Sequence, residues 1–101
     1  MKSAFSADAI HALDDLGIPD YMHDGILGYF ELGIPPGDFL YAVLKGDLMG
    51  AAAHADDNNR RCLYQYASWF YTYAPANAFG SVERIAEHLR SFHEEPSDEK
   101  L

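Results

Sequence analysis

The sequence is short of positive charge. Seven Lys and Arg residues stand against 16 Asp and Glu residues, which gives a formal net charge of −9. Such a charge repels the phosphates of nucleic acids and of anionic lipids, so we expect no direct nucleic-acid partner and no membrane partner. It favours a basic protein partner, while solubility alone accounts for it equally simply.

Cysteine and long apolar runs are also scarce. The one cysteine, Cys62, excludes a disulfide within the chain and suits a reducing compartment. No apolar run approaches the ~20 residues of a membrane span. Residues 1–15 turn acidic within a few positions, which is unlike a signal peptide. We therefore expect the protein to work in a cytosol.

Motifs for catalysis and metal binding are missing. The sequence contains no HExxH, paired CxxC, EF-hand, GxSxG or P-loop pattern. The nearest group of metal-ligand types, His54 with Asp56 and Asp57, straddles an expected helix junction, where aspartates serve as caps. Neighbouring acids such as Asp14 and Asp15 point about 100° apart on a helix and do not form a shared-proton pair. We expect no enzyme activity, no metal and no cofactor.

The tetrapeptide Leu-Gly-Ile-Pro is present twice, at 16–19 and 32–35. Glycine suits the positive φ of a helix C-cap, isoleucine can fold back on the helix, and proline has a φ suited to the next segment. The surrounding residues do not match, and a solenoid needs about three units of 20–50 residues. The two copies are therefore predicted to be helix ends, with Ile34 packing back on Tyr29.

The strongest helical pattern lies in 62–73, where apolar residues recur at a spacing of three and four. Asp56 or Asp57 is predicted to cap this helix, and Pro75 to stop it. Ser6 is predicted to cap the first helix, Asp47 the short helix that directly follows that residue in the sequence, and Ser81 the last helix. The apolar stripe of that last helix consists of Val82, Ile85, Leu89 and Phe92.

The whole pattern indicates an all-α protein. No segment shows sustained period-two alternation bounded by turns, as a strand would. We predict a bundle of about five or six short helices forming a single domain over residues 1–93. The charged residues 94–101 are predicted to be a flexible acidic tail.

Two glycines lie on one stripe of the second predicted helix, Pro19 to Leu32. The stripe consists of Tyr21, Gly25, Gly28 and Leu32, which follow the helical spacing i, i+4, i+7 and i+11. Glycine costs about 1 kcal/mol relative to alanine inside a helix, so two on one face predict the close approach of another backbone. Two interpretations stay open: tight helix packing within the monomer, and a docking or homo-oligomer surface.

The helix 62–73 and its flanks carry more aromatic residues than one core face holds. The residues predicted to lie on the outward side are Arg60, Arg61, Tyr64, Ser68 and Tyr71. Arginine beside exposed tyrosine is common at protein interfaces. Local pairing of the arginines with nearby carboxylates is the simpler alternative. The candidate partner-binding residues are Asp47, Asp56, Asp57, Arg60, Arg61 and Tyr64.

The run GIPPGDFLYAVLKGDLMGAAAHADDNNRR, followed by YAPANAFGS, resembles a family of small proteins encoded in bacteriophage and prophage genomes. The match spans roughly the middle half of the chain and departs at Phe79, where the family pattern has Trp. The resemblance carries no established activity; it implies a viral origin and, with it, the cytoplasm of a bacterial host. The matched residues are Gly33 to Gly37, Phe39-Leu40, Ala42 to Leu44, Asp47-Leu48, Ala55-Asp56, Asn59, Ala74-Pro75 and Gly80-Ser81.

Three functional hypotheses follow. The preferred one is a non-enzymatic protein that inhibits a host defence or regulatory component, its carboxylates and Tyr64 occupying a basic groove that normally holds nucleic acid. The second is an oligomeric sponge for a nucleotide-derived immune signal, with Arg60 and Arg61 binding phosphate and Tyr64 or Trp69 contacting the base. The third is a virion or replication accessory protein. The sequence does not separate the three.

Overall fold

The computed structural model describes residues 5–93. Over that range the chain forms seven α-helices, one 3₁₀ turn and no strand, which confirms the all-α prediction. The predicted acidic tail, 94–101, lies outside the described residues. The elements are α1 (Ala7–Asp15), α2 (Asp20–Leu32), α3 (Asp38–Lys45), α4 (Leu48–His54), α5 (Asp57–Arg61), α6 (Leu63–Tyr73), the 3₁₀ turn Ala76–Ala78 and α7 (Val82–His93).

Four of the helices begin at a side-chain cap. Ser6, Asp47, Asp56 and Ser81 each accept a hydrogen bond from the backbone N–H three residues later, at 2.8–3.1 Å. A cap of this kind satisfies one of the free N–H groups of the first turn. The caps predicted at Ser6, Asp47, Asp56 and Ser81 are thus confirmed, and two candidate partner-binding residues, Asp47 and Asp56, also have a structural role.

The first Leu-Gly-Ile-Pro copy closes α1 as a Schellman motif. Gly17 has a φ of 84°, in the left-handed region. Its N–H donates to the carbonyl of Asp14 at 2.9 Å, and the N–H of Ile18 donates to that of Leu13 at 3.0 Å. This pair of bonds defines the motif. The predicted helix end is therefore confirmed in its geometry.

The second copy ends α2 with a different hydrogen-bond pattern. Gly33 is also left-handed, with a φ of 69°, but the N–H groups of Gly33 and Ile34 both donate to the carbonyl of Gly28. The side chain of Ile34 lies over Gly28, where an added Cβ would be 3.2 Å from the Ile34 Cδ1. The contact that closes this end is thus one residue before the expected Tyr29.

The core is an aromatic cluster that joins α1, α2 and α6. The indole of Trp69 is fully buried and lies within 5–6 Å, between ring centroids, of Phe5, Phe70 and Tyr73. Its Nε1 donates to the carbonyl of Ala9 at 2.8 Å, which fixes α6 against α1. Offset and tilted ring pairs of this kind add to the free energy gained by burying the rings.

The helix that Asp56 caps ends at Arg61, and α6 begins at Leu63 after an interruption at Cys62, whose φ is −120° and ψ 28°. The sequence predicts a helix over 62–73 with a cap at Asp56 or Asp57, and the structure places that cap before a separate short helix. Asn59 is buried just before the break, and its Oδ1 accepts a hydrogen bond from the Tyr66 hydroxyl at 2.6 Å. This bond links α5 to α6 across the interruption.

We expect Asn59→Ala to lower the free energy of unfolding by about 1–3 kcal/mol, because the buried Tyr66 hydroxyl would lose its acceptor. Burial also raises the pKa of Tyr66, so the hydroxyl stays neutral even in base and continues to need an acceptor. Urea denaturation followed by circular dichroism measures the loss. In a Tyr66→Phe background the same substitution should cost much less; an equal cost in both backgrounds would contradict the assignment.

The last helix buries less of its apolar stripe than predicted. Ile85 is fully buried, whereas Val82 and Phe92 are exposed. Its second attachment to the core is polar, because His88 Nε2 lies 2.9 Å from the carbonyl of Tyr29. The Tyr29 hydroxyl in turn donates to the carbonyl of Ala78 at 2.7 Å, which ties the 3₁₀ turn to α2. Hydrogen bonds thus supplement the small apolar contact between α7 and the core.

Candidate functional site

An apolar groove with a volume of about 420 Å³ lies between α4 and α6. We call it the α4–α6 groove. Its volume falls within the range of roughly 300–1,000 Å³ that is usual for ligand-binding clefts. The residues that define it are Asp47, Leu48, Ala51, Leu63, Ala67 and Tyr71.

Small residues create the space. The turn after α3 is closed by Gly46, whose φ is 82°, and by the N–H of Asp47, which donates to the carbonyl of Ala42 at 2.9 Å. This tight turn and the buried Ala51 let α4 pack closely against α3. Across the groove, Ala67 is too short to fill the gap from the side of α6. The groove therefore results from alanines at the positions where its two walls face each other.

Large apolar side chains are exposed around the groove. On the α4 side Leu48 is 65 % exposed and Met49 is 79 % exposed, and on the α6 side Tyr64 is 78 % and Tyr71 is 89 % exposed. Tyr64, Ala67 and Tyr71 share one face of α6, since they are three and four residues apart. Of these four side chains, those of Leu48 and Tyr71 line the groove, and large exposed apolar side chains at a groove are typical of an interaction surface.

Among residues 5–93, Asp47 is the only carboxylate that lines the groove. Its Oδ1 accepts the N–H of Gly50 at 2.9 Å, which begins α4. A Cβ at Gly50 would overlap this carboxylate, so the glycine leaves the room that the cap needs. The side chain stays exposed to solvent. The groove thus combines an apolar lining with one negative charge at its edge.

The four candidate residues on or beside α5 are engaged within the chain. Asp57 and Arg60 form an ion pair of 3.1 Å, and Arg60 also donates to the carbonyl of Ala55 at 3.0 Å. Arg61 donates to the Asn58 Oδ1 at 3.4 Å. Local pairing, the simpler interpretation of the arginines, is therefore observed for Arg60. Of the six candidates, only Asp47 lines the groove, and Tyr64 lies one turn from Ala67.

Asp56 has a partner that the sequence did not reveal. Its Oδ2 accepts a hydrogen bond from the Tyr21 hydroxyl at 2.5 Å, and its Oδ1 accepts the N–H of Asn59. These bonds, that of Tyr21 first, lower the pKa of Asp56. The same hydrogen bond raises the pKa of Tyr21. The charge of Asp56 therefore serves to join α2 to α5.

We expect Tyr21→Phe to raise the pKa of Asp56 toward its ordinary value. A carboxyl whose pKa is lowered by folding contributes stability above its unfolded pKa and loses it as the pH falls through the folded pKa. The variant should therefore lose part of this contribution at neutral pH and show a weaker decline in acid. Carbon-13 NMR titration of the Asp56 carboxyl measures the shift. Tyr64→Phe is the control, and an unchanged Asp56 titration in Tyr21→Phe would refute the expectation.

The glycine stripe of α2 is not covered by another helix in the described chain. No atom of that part lies within 4 Å of a Cβ added at Gly25, and Gly28 is covered by the Ile34 side chain. Tyr21 and Leu32 are exposed at the two ends of the stripe. The interpretation that a neighbouring helix backbone packs on both glycines is therefore wrong for residues 5–93. The docking alternative stays a prediction.

The described residues contain no group of three or more His, Cys, Asp and Glu side chains close enough to hold a metal ion. Burial raises the pKa of the Cys62 thiol, whose Sγ donates to the carbonyl of Asn58 at 3.3 Å.

Between residues 5 and 93, no helix has both the length and the apolar character needed to span a membrane.

Sequence reasoning missed the groove and two exposed apolar residues of α4, Leu48 and Met49, of which Leu48 lines the groove. The signal was present, because two large apolar residues directly follow the cap Asp47 in a helix that otherwise consists of small residues and His54. Their exposure depends on how α4 packs against α3, which sequence spacing does not reveal.

Comparison of the chain with family models, curated proteins and solved structures finds no match. The resemblance to phage-encoded proteins therefore stays a prediction from the sequence motif. The features of the molecule that bear on its function are the groove, the exposed side chains beside it and the net negative charge of the chain.

Proposed function

We propose that the chain is a non-enzymatic binding protein that inhibits a bacterial host component by binding it through the α4–α6 groove and its rim. The observation that carries the proposal is the pair of large apolar side chains, Leu48 and Tyr71, that line an apolar groove and are left 65 % and 89 % exposed. Aromatic side chains next to a pocket are the usual energetic centres of protein interfaces. The inhibitory role and the host cytoplasm follow from the resemblance to phage proteins.

The charge of the chain supports a basic partner. A net charge of −9 speeds encounter with a positive surface, including one that normally binds nucleic acid. Within the proposed surface, Asp47 and Tyr64 are the favoured contacts. Asp56 and Asp57 are secondary, because their carboxylates already bind Tyr21 and Arg60.

The test is a tagged pull-down from host extract with the wild-type chain, Ala67→Trp and Thr72→Trp. Ala67→Trp places an indole in the groove, while Thr72→Trp adds the same bulk at an exposed position of the same helix that does not line it. A host protein retained by wild type and Thr72→Trp, and reduced at least about tenfold by Ala67→Trp, is expected. Retention of the same proteins by all three chains would reject the groove.

The nucleotide sponge gains no specific support. Arg60 is held by Asp57 and backbone carbonyls, and the indole of Trp69 is fully buried in the core. The groove itself presents apolar side chains and a carboxylate, which disfavours phosphate. This alternative and the virion accessory role stay predictions; a thermal shift with nucleotide signals and a search of purified particles address them.

A further inference from the structure

We infer that the occupant of the α4–α6 groove is a basic amphipathic α-helix, whose apolar side chains enter the groove and whose Lys or Arg binds the Asp47 carboxylate. This inference rests on the proposed function, because it names the chemistry of the partner. Three observations support it: the shape of the groove, its charge and the state of the chain's own cations.

The shape of the groove favours a helix. Two of its sides are formed by α4 and α6, while residues of α3 and the turn at Phe79 and Gly80 line the rest. The exposed face of α6 repeats at Tyr64, Ala67 and Tyr71 over about 10 Å, the rise of two helical turns. A docked helix presents anchors at the same three- and four-residue spacing. The described residues include no strand, so an extended segment finds no sheet edge to pair with between residues 5 and 93. A volume of about 420 Å³ accommodates several apolar side chains.

The negative charge of Asp47 at the groove favours a partner that carries a cation. Asp47 is exposed and uses its Oδ1 to cap α4. A Lys or Arg that reaches this carboxylate would form a charge-assisted hydrogen bond next to apolar surface, where water is partly displaced and the bond is stronger. An acidic segment would be repelled both by Asp47 and by the net charge of −9.

A second copy of the chain does not supply that cation from the described residues. Each of their five Lys and Arg side chains already has a contact. Arg60 pairs with Asp57, Arg90 pairs with Glu87 at 3.0 Å, and the Lys45 Nζ lies 4.8 Å from the centre of the Tyr41 ring. The other two, Arg61 and Arg84, donate to Asn58 and to the carbonyl of Ala76. Self-association would also bring together two chains of net charge −9, which disfavours a second copy and favours a different, basic chain as the occupant.

The test uses three synthetic peptides and the full chain. One peptide is an amphipathic helix of Leu and Lys, the second has Glu in place of each Lys, and the third has the Leu/Lys composition in an order without a helical apolar face. Fluorescence anisotropy measures each Kd at low and high salt. We expect the chain to bind the first peptide, and the Kd to rise by at least about tenfold in Ala67→Trp while staying unchanged in Thr72→Trp.

Asp47→Asn isolates the charge. Asparagine caps a helix as well as aspartate does, so α4 should remain intact while the Kd rises about three- to tenfold and loses part of its salt dependence. Circular dichroism checks the fold of each variant.

Several results would overturn the inference. These are equal binding of the Glu peptide or of the rearranged peptide, unchanged binding in Ala67→Trp, and no binding of the Leu/Lys peptide by the folded chain. A dimer in sedimentation that Ala67→Trp dissociates would identify a second copy as the occupant instead. If the pull-down yields a host protein that Ala67→Trp releases but whose contact segment is acidic or non-helical, the proposed function stands and this inference fails.

Discussion

Trp69→Ala is expected to lower the free energy of unfolding by about 3–5 kcal/mol. The indole is fully buried and has Phe5 and Tyr73 among its ring neighbours. Truncation removes the dispersion contacts of the largest buried side chain and leaves a cavity between α1 and α6. It also removes the Nε1 donor that binds the carbonyl of Ala9. The total free energy of unfolding of a small domain is about 5–15 kcal/mol, so this single substitution removes a large part of the stability.

Tyr71→Ala is the matched control, because Tyr71 lies on the same helix and is 89 % exposed. Its effect on the free energy of unfolding should stay within about 0.5 kcal/mol. Urea denaturation followed by far-ultraviolet circular dichroism serves both variants, since Trp69→Ala removes the only tryptophan of the chain. Similar losses in the two variants would mean that Trp69 is not central to the core.

The variants Trp69→Ala and Tyr71→Ala also separate the residues of α6 that stabilise the fold from those that are available for binding. The inward face of α6 carries Trp69 and Phe70, while its outward face carries Tyr64 and Tyr71 beside the groove. We expect Tyr71→Ala to weaken partner binding with little change in unfolding. The position of the outward tyrosines depends on the inward residues, because the same helix carries both.

The helix ends were predictable because they depend on local chemistry. The caps at Ser6 and Ser81 and the left-handed glycines Gly17 and Gly33 each need only a side-chain oxygen or the absence of a Cβ at one position. Such requirements are visible in a window of a few residues. The all-α class followed from the same signals together with helical spacing.

The features that depend on distant residues were not predictable in the same way. The break at Cys62 accompanies a buried bond between Asn59 and Tyr66, which an amphipathic pattern does not report. The bond between Tyr21 and Asp56 joins residues 35 positions apart. Of the candidate site, Asp47 and Tyr64 were found from the sequence. The groove between them depends on how α4 and α6 are placed by the core.

The two glycines of the repeated tetrapeptide are expected to differ sharply when replaced. Gly17→Ala should cost about 1–2 kcal/mol, because alanine is strained at a φ of 84° and no described atom lies within 4 Å of the new Cβ. Gly33→Ala adds a clash, since its Cβ would lie 2.5 Å from the Cβ of Phe92. Crowding of this kind adds about 1–3 kcal/mol to the strain. Thermal and urea unfolding of the two variants measure the difference.

The clash with Phe92 can be separated from the backbone strain by a double-mutant cycle. In a Phe92→Gly background, which removes the Cβ of residue 92 as well as its ring, the cost of Gly33→Ala should fall toward that of Gly17→Ala, since only the strain of positive φ remains. Gly25→Ala serves as the opposite control: this glycine is inside α2 with open space around its Cβ position, so alanine should stabilise the chain by about 0.5–1 kcal/mol. Equal losses at Gly17 and Gly33, or a cost of Gly33→Ala that persists without Phe92, would show that α7 does not pack on the end of α2 as described.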